Sequence, residues 1–325
     1  MGKVVITEQQ LATLATSAAK LRKELLLMPL MAMSDFLAHV SLRTGIRYSE
    51  TIGELTGHME LGPYSKTRRD TDDVNITPRT LYTYLGSVVK EFDPNTVYQS
   101  VWGSNITKGE ALKNTDLTRQ VLAKLASEVG NALYWAQWGA VRNPSGDKTV
   151  DLFDGFDTIA KKEVEAGTVS EAKGNLYKID ISTIDKTNAV DTLKAIYRAA
   201  DHHLKQGKTK LFVPSRILDA YNDDYKITTG DIPYNTQFNQ TFVEGSSNKC
   251  EIVALPNKGD SEFMQLTTKS NMLAGTCQMS DEESVSVEKY APFTLYFVMT
   301  MFYGVQYESI NKERILFIGK GKDSV

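Results

Sequence analysis

Cysteine is scarce in this chain of 325 residues, which has only Cys250 and Cys277. Two thiols that far apart build neither a disulfide framework nor a C-x-x-C metal site. A reduced, cytosolic setting and two small core residues are expected. Histidine is scarce as well, and two of the four, His202 and His203, are adjacent. On a helix they point about 100° apart and cannot make an i, i+4 metal face. An excess of one charge is missing: 37 basic residues stand against 40 acidic, a net of -3. That balance argues against a dedicated DNA-binding face and leaves room for weak, local contact with nucleic acid. Long apolar runs are missing too. The longest, 293–307, is broken by Thr294, Thr300, Gly304 and Gln306. It falls short of the ~18 apolar residues of a membrane helix, and its Phe, Tyr, Val and Thr content reads as a buried strand. No secretory signal pattern opens the chain, and no membrane partner is expected.

Catalytic signatures are absent in the same way. Neither H-E-x-x-H nor G-x-S-x-G occurs. The Gly-Lys-Gly-Lys at 319–322 lacks the Walker spacing and opens no helix. Asp70, Asp72 and Asp73 cluster, but Arg68 and Arg69 beside them neutralise the cluster, and the EF-hand spacing is missing. No catalytic, cofactor-binding or metal-ligating residue is nominated, no cofactor is expected, and the chain is not expected to be an enzyme. An enzyme with a dispersed site is the competing reading. It rests on an α/β half with surface carboxylates such as Asp191 and Asp201.

What is present is ordered. Hydrophobic residues make up 41% and charged residues 24%, enough for one large core or two domains. The strongest signal is a helix over 115–141. Its stripe is Leu117, Val121, Leu125, Val129, Leu133, Ala136 and Ala140, widened by Leu122 and Ala132. A charge at Leu125 should therefore prevent folding. Arg142 and Pro144 end the helix, and Tyr134, Trp135 and Trp138 near its end read as packing anchors. Upstream, 8–28 reads as a helix with Leu11, Leu14, Ala15, Ala18, Leu21, Leu25 and Met28 on one face. Pro29 should interrupt it, and a second helix should run over 34–43 and close at Gly45. Residues 49–75 show no period and carry the polar run 65–73. A long two-stranded excursion accounts for them better than a structureless loop. A β-prone stretch spans 80–89, and turn chemistry begins at Phe92.

Downstream of the turn at 143–147, Asn188 should cap a helix that puts Val190, Leu193, Ile196, Tyr197, Ala200 and Leu204 on one face, with Gly207 past its end. A strand over 210–214 and a helix from Ser215 towards Tyr225 follow. Strands then dominate at 250–256, 263–268, 284–289, 293–307 and 314–320.

Three stretches carry a family likeness: Leu133 to Gly139 followed by Asn143-Pro-Ser-Gly and Leu152-Phe-Asp-Gly-Phe; residues 188–225; and Ile252-Val-Ala-Leu-Pro with Thr268 to Thr276 and the closing strands. With the segment order, they make the chain resemble the major capsid proteins of tailed bacteriophages. The resemblance implies an α+β, Hong Kong 97-like capsid fold. It has an N-terminal arm (1–45), an extended loop (46–78), a peripheral domain with a long spine helix (79–142, strands returning near 284–320) and an axial α/β domain (143–283). It implies self-assembly into hexamers and pentamers of an icosahedral head around double-stranded DNA, in a virion whose subunits are made in the bacterial cytoplasm. DNA contacts would be weak and non-specific. Portal and decoration proteins are implied partners. The arm begins at Met1, so a scaffold, if one is used, should be a separate protein. Encapsulin-type nanocompartments, which enclose a cargo enzyme, share the fold and are the alternative. Contacts between subunits should fall to Lys66, Arg68, Arg69, Asp70, Asp72 and Asp73 in the loop, and to Leu14, Leu21 and Leu25 in the arm.

Overall fold

The apolar run near the C-terminus is a strand, and much of the fold is arranged along it. The computed structural model describes residue 25 and residues 27–56, 63–66, 75–92, 115–229, 241–277, 285–291 and 294–321. The first part of the chain gives α1 (Ser34–Leu37), β1 (Ser41–Thr44), β2 (Ser49–Thr56), β3 (Asn75–Tyr82), β4 (Tyr84–Phe92) and the long α2 (Thr115–Ala136). Next come α3 (Phe156–Glu165), β5 (Leu176–Lys178), α4 (Ala189–Ala199), α5 (His202–Gln206), β6 (Thr209–Val213) and α6 (Ser215–Thr229). The closing strands are β7 (Cys250–Ala254), β8 (Phe263–Thr267), β9 (Met272–Thr276), β10 (Val285–Ala291), β11 (Thr294–Tyr307) and β12 (Ile315–Gly319). The chain divides into two compact units. One comprises Met1–Tyr48, Thr83–Thr158 and Ala274–Gly304, and the other Ser49–Tyr82, Ile159–Leu273 and Val305–Val325.

The first unit is built on the sheet β1-β9-β11-β10, with β4 also pairing β11. β4 and β10 flank β11 in antiparallel register, Val88 opposite Met299 and Val287 opposite Phe297. Alternation sends Phe297, Met299, Met301 and Tyr303 to one face, and all four are buried. Leu25, Leu122, Ala126, Val285 and Val287 pack there with Phe297 and Met299.

The second unit holds the sheet β5-β12-β8-β6-β7. β12 and β8 lie inside it, and every residue of both is buried. Helices α4, α5 and α6 cover one face, with Val190, Leu193, Ile196, Leu204, Ile217 and Tyr221 against Leu211, Val213, Met264, Leu266, Leu316 and Ile318. The helical face expected from Val190 to Leu204 is therefore the buried one. It is carried by two helices, because Ala200 is extended (ψ 151°) and the Asp201 carboxylate accepts from His203 N–H to start α5. Asn188 occupies the N-cap of α4 without a side-chain capping bond, its amide accepting from Asp185 N–H and donating to Thr183 O. The buried Asp224 of α6 does that work instead, accepting from Val190 N–H at 2.7 Å.

Other expectations needed correction. Residues 27–32 are helical, so the helix passes through Pro29. The helix expected over 34–43 stops at Leu37, and β1 begins at Ser41 as an edge strand beside β9. Gly45, at φ +82°, turns the chain after a strand and not after a helix. The β-prone stretch 80–89 is two strands. Between them Thr83 is buried, its N–H donating to Tyr48 O at 2.8 Å and its hydroxyl to Ile46 O at 3.3 Å.

Candidate functional site

In the first unit the long helix is seated by small residues. Its buried positions are Leu122, Ala126, Gly130, Leu133 and Ala136, while Leu125 and Val129 are half-buried and Ala132 is exposed. The expected stripe is buried at Leu122, Leu133 and Ala136 and shifted between them towards Ala126 and Gly130. At Gly130 a Cβ would stand 2.3 Å from the Pro29 carbonyl oxygen and 2.8 Å from the Ala32 methyl group. Two helices cross there at a separation only glycine allows.

α2 ends at Ala136, five residues before the expected end at 141. Beyond it the carbonyls of Gln137, Trp138 and Ala140 accept from the N–H groups of Phe156, Asp157 and Gly155 at 2.8–3.0 Å. The segment that follows α2 thus satisfies the N–H groups that open α3. Gly155 permits the approach, since its Cβ would lie 2.3 Å from Trp138 O. Trp138 is a packing anchor as expected, with Phe36 and Phe156 rings at 6.2 and 5.6 Å. Trp135 is not. It is 61% exposed and touches the Tyr134 ring edge-on. The Gln137 amide carbonyl accepts from the buried Tyr303 hydroxyl at 3.0 Å. Burial drives that phenol's pKa upward, with the Gln137 bond opposing.

Beside the helix runs a groove of about 850 Å³. Its floor is Val88, Leu125, Val129, Phe297 and Met299, and its rim carries Lys90, Glu128, Arg142 and Asp151. Arg142 lies over the Tyr84 ring at 4.1 Å. The opposite face of β4 exposes Leu85 (54%) and Val89 (58%). Among the described residues, no group of three or more His, Cys, Asp or Glu side chains converges to hold a metal ion. No helix among them is long and apolar enough to cross a membrane.

In the second unit β2 and β3 form the two-stranded excursion, paired from Ser49 opposite Tyr82 to Thr56 opposite Asn75. One face of this ribbon is docked: Leu81 and Ile52 are buried, and Arg79 is nearly so. The other face exposes Ile76 (67%), Pro78 and Tyr82. Of the predicted contact residues, Lys66 is exposed, near Tyr64 at 89%. Arg68, Arg69, Asp70, Asp72, Asp73, Leu14 and Leu21 lie outside the described residues. Leu25 is buried in its own chain against Leu122, Ala126 and Phe297, so its apolar side chain is already covered without a neighbour. Missed in the sequence were Arg79 and the exposed Leu85, Val89 and Ile76. Alternation in a β-prone run was the available signal for the last three, and nothing local marked Arg79.

No protein-family model matches the chain, and no curated protein matches it in sequence. Solved structures do match. The capsid of an empty GTA particle superposes with a TM-score of 0.57 at 11% identity, over 89% of this chain and 90% of that one. A chain of the satellite phage P4 procapsid that includes size determination protein gives 0.55 at 12%, over 89% and 95%. A chain of Mycobacterium phage Bobi gives 0.50 at 11%, over 89% and 91%. The class is therefore defined: this is an α+β chain with the fold of phage major capsid proteins.

Proposed function

We propose that the chain is a major capsid protein that assembles into hexamers and pentamers of an icosahedral phage head enclosing double-stranded DNA. The observation that carries this reading is the capsid fold over nearly nine-tenths of the chain. The β2–β3 ribbon supports it. A two-stranded ribbon with an apolar outer face has no core of its own, and Ile76, Pro78 and Tyr82 find cover on a neighbouring copy. In this reading 1–45 is the arm, 46–78 the extended loop, 79–142 the spine-bearing peripheral domain and 143–283 the axial domain. Lys66 and the loop charges that follow it pair with neighbours and set register more than affinity. Scaffolding, portal and decoration proteins are separate partners, and contacts with packaged DNA are weak and non-specific.

The test is expression of the chain with and without candidate scaffolds, followed by sedimentation and negative-stain microscopy. Closed shells are expected. A stable monomer under every condition overturns the reading. Particles from the natural host that carry a cargo enzyme in place of double-stranded DNA overturn the phage assignment in favour of a nanocompartment.

A further inference from the structure

The docked face of the β2–β3 ribbon changes character along its length. Nearest the root, Leu81 and Ile52 are buried and apolar. Level with Ile52 and beyond it, ionic and polar anchors join them. Arg79, opposite Ile52 in the ribbon, donates from Nη2 to Glu163 Oε1 of α3 at 2.8 Å and to Gln306 Oε1 at 3.0 Å, and from Nε to Tyr307 O at 3.1 Å. The Gln306 amide donates back to Thr80 O at 3.4 Å. Glu163 is fixed in turn by the Thr168 hydroxyl on its second oxygen. Glu54, two residues along the same face, accepts from the Ser309 hydroxyl. Ser309 is itself held by Asn271, which accepts its N–H at 2.8 Å and donates to its carbonyl at 3.0 Å.

The Arg79 and Glu163 side chains are 13% and 20% exposed. Water therefore screens them poorly, and breaking the pair by removing one partner strands the other in a poorly solvated place. A two-stranded ribbon is marginal by itself, so its direction depends on what clamps its root. We propose that Arg79, held by Glu163 and Gln306, is a latch that sets the ribbon's direction in the isolated subunit before any partner is met. Arg79 is a positioning residue, and the latch is a property of this chain alone, independent of what it assembles into. Its use is preorganisation: a ribbon already aimed loses less freedom on docking.

Hydrogen–deuterium exchange on the full-length chain tests this. In Arg79→Met the amides of β2 and β3 should exchange roughly tenfold faster or more, while those of β8 and β12 keep their protection. Glu163→Gln, which keeps shape and one acceptor, should raise the same segment by less. The double variant should be no worse than Arg79→Met alone, since the two act through one interaction. Unchanged ribbon exchange, an equal rise across β8 and β12, or fully additive effects each overturn the latch. If Arg79→Met does not fold, Glu163→Gln decides by the same comparison of ribbon against body.

Discussion

A methyl group at position 130 would sit 2.3 Å from the Pro29 carbonyl oxygen. The obstacle is backbone, which cannot rotate away as a flexible side chain would. Gly130→Ala is therefore expected to destabilise by about 2–4 kcal/mol, at and above the usual range for overpacking, even though alanine is the better helix former. Chemical denaturation measures it, and a neutral or stabilised variant would refute the close crossing. Cys250 makes a second prediction at this scale. Burial raises its thiol from 9.0 to about 12, the nearby Thr209 hydroxyl opposing and the Glu251 charge adding. The unfolded thiol thus ionises first as pH rises. Its contribution to stability is full below pH 9 and is lost progressively towards pH 12. Cys250→Ala should flatten that part of the pH–stability curve, and the native thiol should resist alkylation at pH 8.

The elements differ in how far the sequence announces them. Strands β6, β7, β8, β10, β11 and β12 were legible because apolar and β-branched residues fill them and turns bound them. α3 is poorly announced, although Phe156, Ile159, Ala160 and Val164 recur at helical spacing and are all buried. It has no Ser or Thr cap to flag it, because distant carbonyls do the capping. β9, Met-Leu-Ala-Gly-Thr, has poor strand propensity and exists through its buried place in a sheet. The long helix was legible in existence and start and only in part in facing. Its larger apolar residues point to one stripe, whereas Ala126 and Gly130, being small, choose the buried one. The consequence is measurable. Leu122→Asp places a charge in full burial and should abolish folding, whereas Leu125→Asp, half-buried, should leave a folded, weakened protein by circular dichroism and thermal melting. Equal effects would restore the simpler stripe.

For the whole molecule, the architecture was legible mainly through order: a long excursion, a long helix, then strands. The ribbon's pairing was inferable by elimination, but its anchoring was not. Arg79, Glu163 and Gln306 lie far apart in sequence, and only the fold brings them together. Deleting 60–73 shortens the connection between β2 and β3 without touching either strand or the anchors. The variant should keep wild-type circular dichroism and unfold at a similar temperature, yet form no stable shells in sedimentation. Shells of normal yield and heat resistance would take the excursion out of assembly.

The joint where Gln137, Trp138 and Ala140 meet Gly155, Phe156 and Asp157 has a kinetic corollary. Helix ends ordinarily fray first, since their outermost polar groups lose little by turning to water. Here the opening turn of α3 is tied to the segment that follows α2, so it cannot open without stripping that segment. Protons on those three amides should consequently leave at the rate set by opening of the unit itself, as slowly as any in its sheet.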